Sequence, residues 1–216
     1  MCKNFQFFKI RELQISQTIK KGDIDSASQL IDDYVQERLQ YFAARQGRFY
    51  RDLLHKAGSN ARSAALRSST QGKSISHQTA TKLNDGRVLP TFPSLSKLMA
   101  ERDRDVVIIF DPFEGTEKKR VWVSFSAQDS VSYSVASLLR GVLRSQTDHA
   151  DKKVTARLAG LSENTLRQAE KRQGHPLFDE HIVCHSVETV CRIAAANQYR
   201  MSILFYRSHS NEERLS

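Results

Sequence analysis

"DVVIIFDPFEGTEKKRVWVSFS", residues 105–126, is the stretch that decides the fold class. It opens on a β-branched apolar run, "DVVIIF" at 105–110, of strand length. It closes on an alternating segment, "KRVWVSFS" at 119–126, in which Val121, Val123 and Phe125 share one face. Between them "DPFEGTEK" carries Pro112 and Gly115, the residues expected of a hairpin connection. Set among segments of helical periodicity, this pair predicts an α+β fold, a small antiparallel or mixed sheet with helices packed around it.

Towards the N-terminus the pattern is helical. In residues 23–58, Leu30, Ile31, Tyr34, Val35, Leu39 and Phe42 recur at helical spacing, and Phe49, Leu53 and Leu54 continue the stripe. Asp32, Gln36, Glu37 and Gln40 lie opposite. Gly47 is a candidate break and Gly58 a candidate stop. Such an amphipathic unit either packs on the rest of the chain or forms a homodimer through the N-terminal helices. Residues 59–90 differ in texture. They are rich in Ser and Thr, and from 56 to 82 there are basic side chains but no carboxylate. So little apolar content predicts a linker or long loop, or a basic arm that orders on phosphates. Pro90 and Pro93 mark the next boundary, after which Ser94 can cap a short helix through Met99. Beyond the hairpin, residues 130–147 read as a helix bearing Leu138, Leu139, Val142 and Leu143. A further helix is expected from about Phe178 to Asn197, and "YRMSILFYR" at 199–207 reads as the last strand. The expected division is thus a helical unit at 1–58, the basic segment at 59–90 and an α+β domain at 91–216.

Bulk composition narrows the partners. The chain has 216 residues, 39% hydrophobic and 26% charged, which suits one core-forming domain with an appendage. The net charge of +9 favours polyanions, nucleic acid first and acidic membranes or proteins second. The three cysteines make no disulfide framework, in keeping with a reducing compartment. No apolar run approaches the ~20 residues that span a bilayer, and "FQFFKI" at 5–10 is too short for a signal-peptide core. A cytoplasmic protein with no membrane span is expected.

Residues 152–172, "KKVTARLAGLSENTLRQAEKR", carry the sharpest functional signal. A DNA-reading helical pair needs a small residue where its helices cross, a turn residue that accepts a left-handed backbone, and anchors beneath the second helix. Ala156, Gly160, Leu166 and Ala169 stand at those places. Leu161 can plug the turn, Ser162 suits an N-cap, and Val154 and Leu158 share a face of the first helix. At ~100° per residue, Asn164, Arg167, Gln168 and Lys171 fall in one arc opposite Leu166 and Ala169. Amides suit adenine edges, Arg guanine, and Lys guanine or phosphate. Lys152, Lys153 and Arg157 are placed to hold the sugar-phosphate backbone. The stretch "ARLAGLSENTLRQAEK" resembles the helix-turn-helix of prokaryotic DNA-binding proteins. That resemblance spans about twenty residues inside 150–173 and implies that Ser162 to Lys171 form the recognition helix, in a transcriptional or mobile-element regulator. The competing reading is an ordinary pair of amphipathic helices joined at a glycine.

Other constellations point less clearly. "RSSTQGKS" at 67–74 lacks the opening glycine of a phosphate-binding loop and follows no apolar strand. His175, His181, Cys184, His185 and Cys191 invite a zinc reading, but helical spacing puts His181 and His185 on a polar face and the two cysteines beside the apolar stripe, so no metal is expected. Asp111, Glu117 and Lys119 form a faint nuclease-like set on hairpin flanks. "GVLRSQT" at 141–147 is similar to the arginine loop of bacterial effectors that accelerate GTP hydrolysis. In that alternative, a secreted effector or toxin-like enzyme, Arg144 would stabilise the phosphoryl transition state. There is no nucleophile elbow and no dinucleotide fingerprint. The expectation is therefore a DNA-binding protein with no catalytic residue and no cofactor.

Overall fold

The computed structural model describes residues 2–56, 104–125, 152–170 and 186–207. The basic segment 59–90, the short helix after Pro93 and the helix read at 130–147 lie outside the described residues. Among those described, five helices surround a three-stranded antiparallel sheet, an α+β arrangement. In chain order the elements are α1 (Cys2–Lys20), α2 (Ile24–Lys56), β1 (Arg104–Pro112), β2 (Val121–Phe125), α3 (Lys152–Leu158), α4 (Glu163–Glu170), α5 (Val187–Ala196) and β3 (Tyr199–Arg207).

The sheet order is β2-β1-β3. The hairpin pairs Phe110 with Val121 and Val106 with Phe125, and β3 pairs antiparallel on the other edge of β1, Ile108 opposite Ile203. The continuous apolar run of β1 accounts for its central place. Val106, Ile108 and Phe110 are buried against the helices, while Val107 and Ile109 are half-covered on the reverse face. Trp122 and Leu204 flank that reverse face and are exposed. Ser124 and Tyr206 meet there through their hydroxyls at 2.6 Å, bridging the two outer strands.

From Leu30 to Phe42 the stripe on α2 packs within the chain, while the side chains of Phe49, Leu53 and Leu54 lie outside the described residues. Ile31, Tyr34, Val35 and Phe42 are buried in one core with Phe110, Phe113, Val190, Ile193 and Met201. Tyr34 meets Phe113 edge to face at 5.6 Å. Arg38 is buried between the Phe8 and Phe42 rings, each 4.8 Å from its guanidinium carbon, and its Nη2 donates to the Met201 carbonyl at 2.6 Å. That bond fastens α2 to β3. A second polar clasp ties in α1: Glu12 accepts from the Tyr34 hydroxyl at 3.0 Å and from Arg200 at 3.3 Å. Burial pushes the Glu12 carboxyl above its usual range, although Arg200, Tyr34 and Arg38 pull it the other way. Burial also raises the Tyr34 hydroxyl, and the Glu12 charge adds to it.

Two boundaries differ from expectation. α2 runs through Gly47 to Lys56, because one interior glycine costs a helix about 1 kcal/mol and does not end it. α5 starts at Val187, and residues 178–185 of the expected helix lie outside the described residues. Ser186 has extended dihedrals and its Oγ accepts from the Thr189 amide at 3.1 Å, so it caps the helix from outside. α1 has no counterpart in the periodicity reading. It joins α2 through Gly22, which adopts φ +76°, and Asp23, whose carboxylate accepts from the Ser26 amide at 3.1 Å.

Candidate nucleic-acid interface

The α3–α4 hairpin is built as its sequence dictates. Gly160 lies in the left-handed region at φ +62°. Its amide donates to the Arg157 carbonyl at 3.1 Å, and the Leu161 amide donates to the Ala156 carbonyl at 2.9 Å. This reciprocal pair is a Schellman closure, with glycine at the one position that must reverse the backbone hand. Ser162 then caps α4: its Oγ accepts from the Thr165 amide at 3.1 Å and lies 2.8 Å from the Thr165 hydroxyl. On the inner side Ala156, Leu158, Ala159, Leu166 and Ala169 are buried, and Leu161 and Val154 pack against the same core. Burying Leu166 alone contributes about 1.5–3 kcal/mol, enough to hold so short a helix in place.

The outer side of α4 is open. Ser162, Asn164 and Arg167 are exposed and Gln168 is half-buried. Lys171 lies outside the described residues. Arg167 has a partner within its own helix, Glu163 at 3.5 Å one turn back, an exposed pair of small energetic weight. On α3, Lys152 and Lys153 are exposed.

Arg157, expected on the sugar-phosphate backbone, is exposed and has a partner from another element. Its Nη2 lies 2.6 Å from Asp25 Oδ1 on α2, and its carbonyl accepts from the Ser28 hydroxyl at 2.8 Å. The residue therefore links α3 to α2 through a solvent-exposed pair and shares its charge with a carboxylate. Sequence spacing within 152–172 carried no sign of this, since Asp25 comes from a distant segment.

A polar cleft of about 620 Å³ lies beside the turn, where Gly160 and Leu161 face Asp25 and Asp32 of α2 and Glu188 and Arg192 of α5. Arg192 spans it. Only 14% exposed at its side chain, it pairs with Asp32 at 2.6 Å and with Glu188 at 3.0 Å. Burial works against its charge, but the hydrogen bonds to these two carboxylates outweigh that and raise its pKa. Arg192 is the residue that sequence reasoning missed here. Its only local sign was Glu188 one helical turn before it.

Of the remaining constellations, Cys191, expected beside the apolar stripe, is fully buried in the core. Desolvation pushes its thiol up to about 12, so it is a packed apolar group and a poor thiolate. His175, His181, Cys184 and His185 lie outside the described residues, as do 67–74 and Arg144. Asp111 pairs with Arg120, while Glu117 and Lys119 are exposed. Among the described residues no group of three or more His, Cys, Asp or Glu is placed to hold a metal ion, and no helix is long and apolar enough to cross a membrane.

Comparison with protein families, with curated proteins and with solved structures gives no match.

Proposed function

We propose that this protein binds DNA through the α3–α4 hairpin and reads sequence with α4. The observation that carries this reading is the two-sidedness of α4: Leu166 and Ala169 anchor one side, while Asn164 and Arg167 are open on the other. A groove-reading helix needs a rigid mount and an unencumbered face carrying amide and guanidinium donors. The net charge of +9 supplies the long-range attraction that brings a polyanion to it.

On this reading Asn164 and Arg167 address base edges, with Gln168 at the margin of the arc. Lys152 and Lys153 hold phosphates and set the register. Asp25, Asp32 and Glu188 make the cleft beside the turn unfavourable to phosphate, so the backbone contacts fall to the start of α3. From Ile31 to Phe42 the α2 stripe packs inside the chain, so that part of it is not available as the seam of a dimer. A regulator of transcription or of a mobile element is the class such a reader fits.

The test is selection of a preferred site from random duplexes, followed by binding of Asn164→Ala and Arg167→Ala. Each should lose selectivity at its own base position, by roughly 1–3 kcal/mol of discrimination. Lys152→Ala with Lys153→Ala should weaken all duplexes alike and flatten the salt dependence. Unchanged affinity, selectivity and salt slope in both sets would dispose of the reading.

A further inference from the structure

We propose that the outer face of α1 is a docking surface for an anionic lipid bilayer, with Phe7, Ile10 and Leu13 entering the interfacial layer and basic side chains meeting the headgroups. The inference does not rest on DNA binding by α4. A helix packed on one side is ordinarily polar on the other. α1 is not. Its inner side buries Phe8 and Ile15 against α2. Its outer side leaves Phe7, Ile10 and Leu13 at 45%, 58% and 46% exposure. At ~100° per residue those three fall within an arc of about 120°, an apolar strip from residue 7 to residue 13 that Gln14 and Gln17 continue as polar surface.

Charge complementarity selects the occupant. Lys9 and Arg11 fall on either side of the strip, and Lys20 and Lys21 are exposed at the end of the helix. The only acid on α1 is Glu12, turned inward to Tyr34 and Arg200. Glu114 lies 3.1 Å from Lys9 and Glu37 lies 3.7 Å from Arg11, which tempers the rim. Half-exposed pairs of this kind are weak, so a lipid phosphate can compete for both cations. Apolar side chains bordered by Lys and Arg are the composition of an interfacial helix lying in the plane of a membrane.

Area argues against a second copy. The strip leaves on the order of 300 Å² of apolar surface uncovered, whereas a stable protein interface buries roughly 800 Å² per partner. Two α1 helices face to face would also set Lys9, Arg11 and Lys20 against their own kind. Shallow insertion into an anionic surface has neither requirement.

The test is co-sedimentation of the full chain with vesicles of phosphatidylcholine alone and of phosphatidylcholine with equimolar phosphatidylglycerol. The wild type should partition onto the anionic vesicles and much less onto the neutral ones. The double variant Ile10→Ser, Leu13→Ser should partition about tenfold more weakly. It should stay folded by circular dichroism, with only a small fall in melting temperature because both positions are half-exposed. Lys20→Gln with Lys21→Gln should also weaken it. Absence of wild-type binding, or equal binding by wild type and the Ile10/Leu13 variant, would overturn the proposal. So would a variant that turns a dimer into a monomer without changing vesicle binding, which would make the strip an interface between copies. DNA affinity measured on the same variant should be unchanged, separating this surface from α4.

Discussion

Gly160 has two separate reasons to be glycine. Its φ of +62° is left-handed, which costs a residue with a Cβ about 1–2 kcal/mol. A Cβ there would also stand 3.3 Å from Arg192 Nη1, a guanidinium tip held by Asp32 and Glu188. Gly160→Ala should therefore lower unfolding stability by about 1–2 kcal/mol in urea titration, whereas Gly160→Asn, which tolerates the left-handed region, should lose less. Equal losses for the two would mean that crowding at Arg192, and not backbone hand, sets the cost. The first reason was legible in the sequence, because a residue between two short amphipathic segments and just before a capping serine must turn the chain. The second was not, because Arg192 is brought in by another element.

At the scale of elements, what could be read was whatever announces itself locally. The β1–β2 hairpin, β3 and the α3–α4 pair each carry their own periodicity and punctuation. α1 fell within the expected helical unit without a stripe of its own being read, because its apolar residues lie on two sides. The Ser186 cap was overlooked because apolar spacing continues back past it. Contacts between elements were invisible for the same reason, and the most consequential is Asp25 with Arg157. This pair holds one cation of the proposed DNA surface against a carboxylate, both side chains being largely exposed. Asp25→Asn should release Arg157 to solvent at little cost in stability. It should raise affinity for any DNA duplex by roughly two- to tenfold at low salt and steepen the salt dependence by close to one phosphate contact. Fluorescence anisotropy at several salt concentrations measures both. A variant that binds no more tightly would place Arg157 away from the path of the phosphates.

For the whole molecule, the sequence left open whether the helical unit packs on the α+β part or on a second copy, and the described core joins the two parts. Phe8, Ile31, Tyr34 and Phe42 from the helical hairpin share a cluster with Phe110, Ile193, Met201 and Ile203. Length and periodicity cannot reveal such sharing, because an apolar stripe does not say which surface covers it. The bond from Arg38 to the Met201 carbonyl is the most direct link between the two parts, and its guanidinium is also sandwiched between aromatic rings from α1 and α2. Arg38→Ala would strip the carbonyl of its donor and open a cavity between Phe8 and Phe42, a combined loss of about 3–5 kcal/mol. Arg38→Met keeps most of the volume and should lose less. If the hairpin and the sheet fold as one body, far-ultraviolet circular dichroism and Trp122 fluorescence will report a single coincident transition in urea, displaced to lower concentration in both variants. Two separated transitions, with only the helical signal moving in Arg38→Ala, would mean that the helical unit unfolds by itself and that the Arg38 bond does not couple it to the sheet.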